Sequence, residues 1–350
     1  MRIGVLTGGG DCPGLNAAIR AVVVGGSVGF GDRSVGFLDG WRGAIENDAV
    51  ELDVERCRGI LTHGGTILGS SRTNPFATED GPGRVLATAS AQGLDALVAI
   101  GGDDTLGAAG RLFELGLPVV GLPKTIDNDL SGTEVTFGFD TAVQIATDAI
   151  DRLQTTAESH HRVMVCEVMG RHVGHIALHA GLAGGAAEIL IPEVPFSLEA
   201  VCDRLVARHN GGRFFSTVVV AEGAVPAPGE DAERAREATA SPSGADQFGH
   251  ARLRGVGEFV ATEIERRTGY ESRATVLGHI QRGGTPTAFD RVLATRYGAG
   301  ALEALHEGAF GTMVALRSGE IVRVPLSEAT GVSKTVDPRL YRDVAPLYLG

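Results

Sequence analysis

The chain has 350 residues and a formal net charge of −12 at pH 7. The length suggests two domains and suffices for a sizeable core, while the acidic balance excludes a nucleic-acid backbone as partner. No apolar run approaches the ~20 residues that span a bilayer, so no membrane partner is expected.

In chain order, residues 3–6 read as a buried strand running into Gly8-Gly9-Gly10 and then a helix over 16–24. The strand-like start leaves no stretch that reads as a signal peptide. Residues 94–100 read as a second strand, followed by Gly101-Gly102-Asp103-Asp104-Thr105 and a helix over 105–115. A third strand, 119–122, runs into Pro123-Lys124-Thr125-Ile126-Asp127-Asn128-Asp129. This strand–helix–strand rhythm predicts an α/β fold with a parallel, doubly wound sheet. It returns with a strand over 163–168 and helix over 174–182, a strand over 189–191 and helix over 198–209, and a strand over 215–221. Residues 224–249, dominated by Pro, Gly, Ala, Asp and Glu, read as a solvated, mobile excursion. Beyond it come a helix over 255–268, a strand over 273–280, a helix over 288–306 and a hairpin over 313–324 turning at Ser318-Gly319. The pattern alone places a single domain boundary near residue 140.

Two segments carry the chemistry. Gly101–Thr105 and Pro123–Asp129 each sit where a buried strand ends, and in open α/β sheets the ligand crevice lies at the carboxyl ends of the strands. They would deliver glycines, the carboxylates of Asp103, Asp104, Asp127 and Asp129, and Lys124 into one crevice. Lysine is otherwise nearly absent, with Lys334 the one other instance. Such a set can hold phosphate and a divalent cation while deprotonating an alcohol. Other readings exist for each part. Gly8-Gly9-Gly10 could cradle an anion or simply make a tight turn. Asp103 could ligate Mg2+ or cap the following helix. Asp127-Asn128-Asp129 could be a turn. No GxxxxGK[ST] pattern occurs, so a nucleotide would need another cradle. His160-His161 and the pair His172, His175 lack a third ligand for zinc. Cys12, Cys57, Cys166 and Cys202 show no C-x-x-C spacing and read as reduced thiols of a cytoplasmic protein.

With Gly8–Asn16, Gly69-Ser70-Ser71-Arg72, Met169-Gly170-Arg171, Ala221-Glu222-Gly223 and Leu277–Gly284 in this order, the chain resembles the 6-phosphofructokinase family from residue 1 to about 310. The resemblance implies two doubly wound three-layer domains with exchanged chain segments: 1–138 plus 250–300 for the phosphoryl donor, and 139–249 plus 301–350 for fructose 6-phosphate. It makes Asp127 the general base, Arg171 the group that stabilises the transferring phosphoryl, and Asp103 the Mg2+ ligand. Gly9, Gly10, Arg72, Gly102, Asp104, Thr105 and Lys124 would bind the donor. Thr125, Asp127, Asp129, Arg162, Met169, Gly170, Arg171, Glu222, Arg273, His279 and Arg282 would bind the sugar phosphate. By resemblance to bacterial members, Arg162 and Arg273 reach the site from a neighbouring subunit of a homo-oligomer, a dimer or tetramer.

Members of the family that use ATP commonly carry glycine where this chain has Asp104; members that use pyrophosphate carry aspartate there and lysine at the place of Lys124. An aspartate ~4 Å from a nucleotide α-phosphate would repel it by up to about 4 kcal/mol at an effective dielectric near 20. The expected reaction is therefore reversible transfer from pyrophosphate to the 1-hydroxyl of fructose 6-phosphate, giving fructose 1,6-bisphosphate and phosphate, with an ATP-dependent 6-phosphofructokinase as the alternative. An NAD or lipid kinase shares the Gly-Gly-Asp loop but lacks the combination of Pro123–Asp129 with Met169-Gly170-Arg171. A non-catalytic sugar-phosphate sensor would not need Asp103, Asp127 and Arg171 together. Val24, Gln154 and Gly211-Gly212-Arg213-Phe214 depart from the basic residues of allosteric members, which implies weak control by nucleoside diphosphate or phosphoenolpyruvate. Residues 330–350 carry no motif.

Overall fold

The computed structural model describes residues 1–239 and 255–348. Its strands are, in chain order, β1 (Arg2–Thr7), β2 (Arg33–Phe37), β3 (Ala49–Leu52), β4 (Ala96–Gly101), β5 (Val119–Pro123), β6 (Val163–Val168), β7 (Glu188–Leu190), β8 (Ser216–Ala221), β9 (Ser272–Val276), β10 (Thr312–Arg317) and β11 (Glu320–Pro325). They form two sheets in two compact units.

The first unit comprises Met1–Thr141 and Arg282–Ser333. Its seven-stranded sheet has the order β11-β10-β5-β4-β1-β2-β3. The five central strands run parallel, and β3 and β11 close the edges antiparallel. β4 is buried along its whole length and β1 in all but its first residue, as sheets covered on both faces require. The hairpin turns at Ser318 and Gly319, both left-handed with φ of 50° and 81°, the pair a type I′ turn demands.

The second unit comprises 142–239, 255–281 and 334–348. Its four strands are all parallel, in the order β7-β8-β6-β9. This partition differs from the expected one at its second crossing. Residues 255–281 were assigned with the donor domain, yet β9 is the edge strand beside β6. Residues from 301 on were assigned with the sugar domain, yet β10 pairs with β5 in the large sheet. Strand pairing decides such membership, and pairing partners this far apart leave no local trace.

The expected excursion over 224–249 contains a helix, Glu230–Thr239. Its Ala235 is buried, and Arg234 and Asp231 pair with Glu263 and Arg267 of helix Val256–Thr268. The remainder of that stretch lies outside the described residues. Among the described residues no helix is long and apolar enough to cross a membrane.

Candidate active site

The strand order sets the position of the site. β1 has β2 on one side and β4 on the other. The chain thus leaves β1 in one direction and, after β3, resumes on its opposite flank. Such a reversal opens a crevice outside the carboxyl ends of the diverging strands. Gly8–Gly10 leaves the end of β1 here, Gly101–Thr105 the end of β4, and Lys124–Asp129 the end of the adjacent β5.

The glycine turn is held from beneath. Gly8 N–H donates to Ile100 O at 2.9 Å and Gly9 N–H to Ser71 O at 3.0 Å. Those two amides are therefore committed to the fold, and the glycines serve as room. A Cβ on Gly9 would stand 3.5 Å from Lys124 Nζ and 3.8 Å from Thr105 Oγ1, and one on Gly10 2.6 Å from Arg282 Nη1. Ser70 Oγ donates to Gly9 O at 2.5 Å. The two hydrogen bonds zip the Gly69–Arg72 loop to the turn, so Arg72, which is exposed, is carried beside it.

Lys124 is buried, with 3% of its surface exposed, and its Nζ donates to Gly10 O at 2.5 Å. Burial pulls its pKa down, and the nearby Arg282 adds to the fall. The lysine thus buttresses the turn from below. Arg282, expected with the 6-phosphate residues, is placed in the first unit, where Nη1 donates to Asp11 O at 3.3 Å. Gly10, Lys124 and Arg282 form one basic group at the end of β1.

Helix Asp103–Glu114 starts with two carboxylates in its first turn, where the helix dipole favours negative charge. The capping position belongs to Gly102, with no side-chain cap. The reading of Asp103 as a cap is thereby overturned: it is the first helical residue, its side chain is exposed, and its Oδ1 accepts from Gly331 N–H at 2.7 Å. Thr105, 3% exposed, fills the space between Gly8 and Gly101.

In the next loop, burial alternates: Ile126, Asn128 and Leu130 point in, and Asp127 and Asp129 lie between them, half-buried. Asn128 makes this possible. It is left-handed, with φ of 54°, and its Oδ1 accepts from Thr136 N–H at 3.1 Å. Thr136 Oγ1 also donates to Thr125 O at 2.7 Å, and Asp127 N–H donates to Thr125 Oγ1 at 3.1 Å. Thr136 lay outside every motif, and nothing in the sequence signals it. Asp129 is pushed up to about 6, first by burial and then by the charge of Asp127, against hydrogen bonds from the backbone and Thr125. Its Oδ1 is buried without a hydrogen-bond partner.

Asp103 and Asp127 both act on Asp129 electrostatically, so the three carboxylates share one neighbourhood. Among the described residues no three His, Cys, Asp or Glu side chains make a closed metal cage. One or two carboxylates with an unmet oxygen are what Mg2+ takes from protein when phosphates and water complete its shell. The residues therefore fit Mg2+, and Asp103 is the exposed carboxylate among them.

The second unit gathers another set at the carboxyl ends of its strands. Met169-Gly170-Arg171 follows β6, Glu222-Gly223 follows β8, and residues 278–281 follow β9. Gly223 N–H donates to Gly170 O at 3.1 Å, Glu222 N–H to Val168 O at 2.9 Å and Met169 N–H to Gln281 Oε1 at 3.4 Å. Gly170 has φ of 141°, and a Cβ on Gly223 would overlap Arg171 O. Arg171, Glu222 and His279 are thus carried on loops tied to one another. Arg162 and Arg273 are not with them. They flank the amino ends of β6 and β9, where both pair with Glu271, at 2.7 and 2.6 Å. The six residues of β6 put about 20 Å between the two ends. His175, weighed as a metal ligand, is buried with Nε2 against Lys334 O at 3.0 Å, and burial pushes its pKa down to about 4.

A family model for phosphofructokinase matches residues 2–305. The chain is 59% identical over 349 residues to the pyrophosphate–fructose 6-phosphate 1-phosphotransferase of Streptomyces coelicolor, covering 99% of this chain and 100% of that one. It is 54% identical over 337 residues to an ATP-dependent 6-phosphofructokinase of Corynebacterium efficiens, covering 96% and 95%. The crystal structure of Pichia pastoris phosphofructokinase in the T-state superposes with a TM-score of 0.81 at 34% identity, over 94% of this chain and 35% of that much longer one. The chain belongs to the phosphofructokinase family and has its two-domain α/β fold.

Proposed function

We propose that the protein catalyses Mg2+-dependent, reversible transfer of a phosphoryl group from pyrophosphate to the 1-hydroxyl of D-fructose 6-phosphate, as a cytoplasmic glycolytic step. The observation that carries the donor is Asp104 in the first turn of helix Asp103–Glu114, on a chain that matches a relative named for pyrophosphate over its full length. The relative named for ATP stands lower, at 54% identity.

Asp127 takes the proton of the 1-hydroxyl as that oxygen bonds to phosphorus and the bridging P–O bond of pyrophosphate breaks. Arg171 meets the charge that develops on the transferring group. Asp103 would hold Mg2+, which when bound would neutralise the phosphate oxygens. Gly9, Gly10, Arg72, Gly102, Thr105 and Lys124 receive pyrophosphate, with Lys124 and Arg282 supplying positive charge beneath the turn. Thr125, Asp129, Met169, Gly170, Glu222 and His279 hold the sugar phosphate. Arg162 and Arg273 serve a neighbouring subunit of a homo-oligomer, a reading supported by their place at the far end of β6 and β9 from Met169-Gly170-Arg171, Glu222 and His279 of the same unit. The finer architecture belongs to the same proposal: doubly wound three-layer units that exchange chain segments, supported by the return of Arg282–Ser333 to the first unit.

The test is formation of fructose 1,6-bisphosphate from fructose 6-phosphate and Mg2+, with pyrophosphate and ATP compared side by side. Turnover with pyrophosphate and little with ATP is expected, and Asp104→Gly should lower the KM for ATP, by up to about 10³-fold if the full ~4 kcal/mol of repulsion is relieved. Turnover with ATP alone overturns the donor assignment.

A further inference from the structure

The tail beyond β11 carries no motif, yet it reaches the candidate catalytic residues of its own unit. A short helix, Leu326–Ala329, buries Leu326 and Ala329. Leu326 packs over Gly121 of β5 and Gly110 of helix Asp103–Glu114, whose glycines leave it space: a Cβ on either would stand 2.9 or 3.5 Å from it. The chain then turns at Gly331, left-handed with φ of 83°. Gly331 N–H donates to Asp103 Oδ1 at 2.7 Å. Ser131 Oγ donates to Val332 O at 2.7 Å, and Ser333 bridges antiparallel to Leu130. Three consecutive tail residues thus hold the carboxylate at the end of β4 and the two residues that follow Asp127-Asn128-Asp129.

We propose that Gly331–Ser333 is a positioning strap for the metal-binding carboxylate. It rests on the reading of Asp103 as the Mg2+ ligand. The Gly331 amide fixes one oxygen of Asp103 by a charge-assisted hydrogen bond and leaves the other to take a cation. Val332 and Ser333 keep the Asp127–Asp129 loop in register with it. Asp103 needs such a partner because it stands exposed at a helix start with no side-chain cap. Outer-shell partners of this kind commonly govern metal affinity by 10–100-fold.

The contact is made by a backbone N–H, so the test compares two variants of the full-length protein. Gly331→Pro removes the donor; Gly331→Ala keeps it. Nothing lies within 4 Å of a Cβ there, but the proline ring fixes φ at about −65° and so also turns the backbone, which Ser131→Ala does not. Binding of Mn2+ in the presence of methylenediphosphonate, followed by electron paramagnetic resonance, reads metal affinity without turnover. Gly331→Pro should weaken Mn2+ by about 10–100-fold and Gly331→Ala by no more than about threefold. Ser131→Ala, which loosens the strap without backbone strain, should weaken Mn2+ by several-fold. If Ser131→Ala leaves Mn2+ affinity at the wild-type value, if Gly331→Pro and Gly331→Ala weaken it equally, or if Gly331→Pro leaves it unchanged or tightens it, the strap is overturned. Asp103→Asn separates the two readings. Loss of Mn2+ in Asp103→Asn with wild-type affinity in Gly331→Pro sinks the strap alone, whereas retained Mn2+ in Asp103→Asn sinks the ligand assignment and the strap with it.

Discussion

Thr105 fills the space into which side chains at Gly8 and Gly101 would grow, and this makes an asymmetric double-mutant test. A Cβ on Gly8 would stand 2.5 Å from Thr105 Oγ1, 2.8 Å from Cγ2 and 3.2 Å from Cβ. A Cβ on Gly101 would overlap Thr105 Cβ itself and stand 2.5 Å from Cγ2. Overpacking of this order costs about 1–3 kcal/mol. Gly8→Ala and Gly101→Ala should each destabilise by that amount, and should raise the KM for pyrophosphate because the displaced turn carries Asp103, Asp104 and Thr105. Thr105→Ala deletes Oγ1 and Cγ2 but keeps Cβ. It should therefore restore about 1–2 kcal/mol to Gly8→Ala, where the remaining contact is 3.2 Å, and almost nothing to Gly101→Ala. Urea unfolding of the wild type, the single and the double variants gives the free energies of both cycles, with steady-state kinetics alongside. Equal rescue of both glycine variants, or a Gly8→Ala chain as stable as wild type, would refute the packing argument.

Asp290 gives a pH signature of stability. It is buried, accepts from Thr141 N–H at 2.8 Å and from Thr141 Oγ1 at 2.5 Å, and burial pushes its pKa up to about 6 from 3.8. Between those values the unfolded chain ionises this carboxyl while the folded chain keeps its proton, so its stabilising contribution is full below pH ~4 and falls by about 3 kcal/mol as pH rises past 6. Asp290→Asn should therefore gain on the wild type between pH 4.5 and pH 7.5 in urea midpoints, and a constant difference would contradict the shift. The four cysteines are buried, with Cys12 and Cys166 pushed up to about 12 and Cys57 to about 11, in each case chiefly by burial. Maleimide at pH 7.5 should label none of these three until denaturant is added; prompt labelling of Cys12 in the folded protein would mean that the turn opens.

Much of the site was legible because strand ends have a signature: a short apolar run that breaks into glycine and acidic residues. Gly101–Thr105 and Lys124–Asp129 were found this way, and β4 and β5 are adjacent. Thr136 and Gly331 had no such mark. One is a lone threonine that bonds back to Asn128 across its own loop, and the other a glycine in a tail that bonds Asp103 far away in the chain. Arg282 illustrates a third case. Its motif was plain, but that it sits beside Gly10 and Asp11 depended on where the chain crosses between units. Helix Glu230–Thr239 was concealed because its support is ionic and lies on another helix.

The sequence by itself determined the βαβ rhythm, the order of the loops that bear carboxylates, glycines and arginines, the turn at Ser318-Gly319, and the identity of residues 104 and 124. These are local properties, encoded in apolar runs, in residues that tolerate positive φ and in charge. Only the tertiary structure decided the strand order that puts β1 beside β4, the burial of Lys124 beneath Gly10, and the separation of Arg162 and Arg273 from Arg171, Glu222 and His279 along β6. It alone brought the tail to Asp103. Each of these depends on hydrogen bonds and packing between segments far apart in the chain, whose pairing is chosen by the whole core and not by any stretch within it.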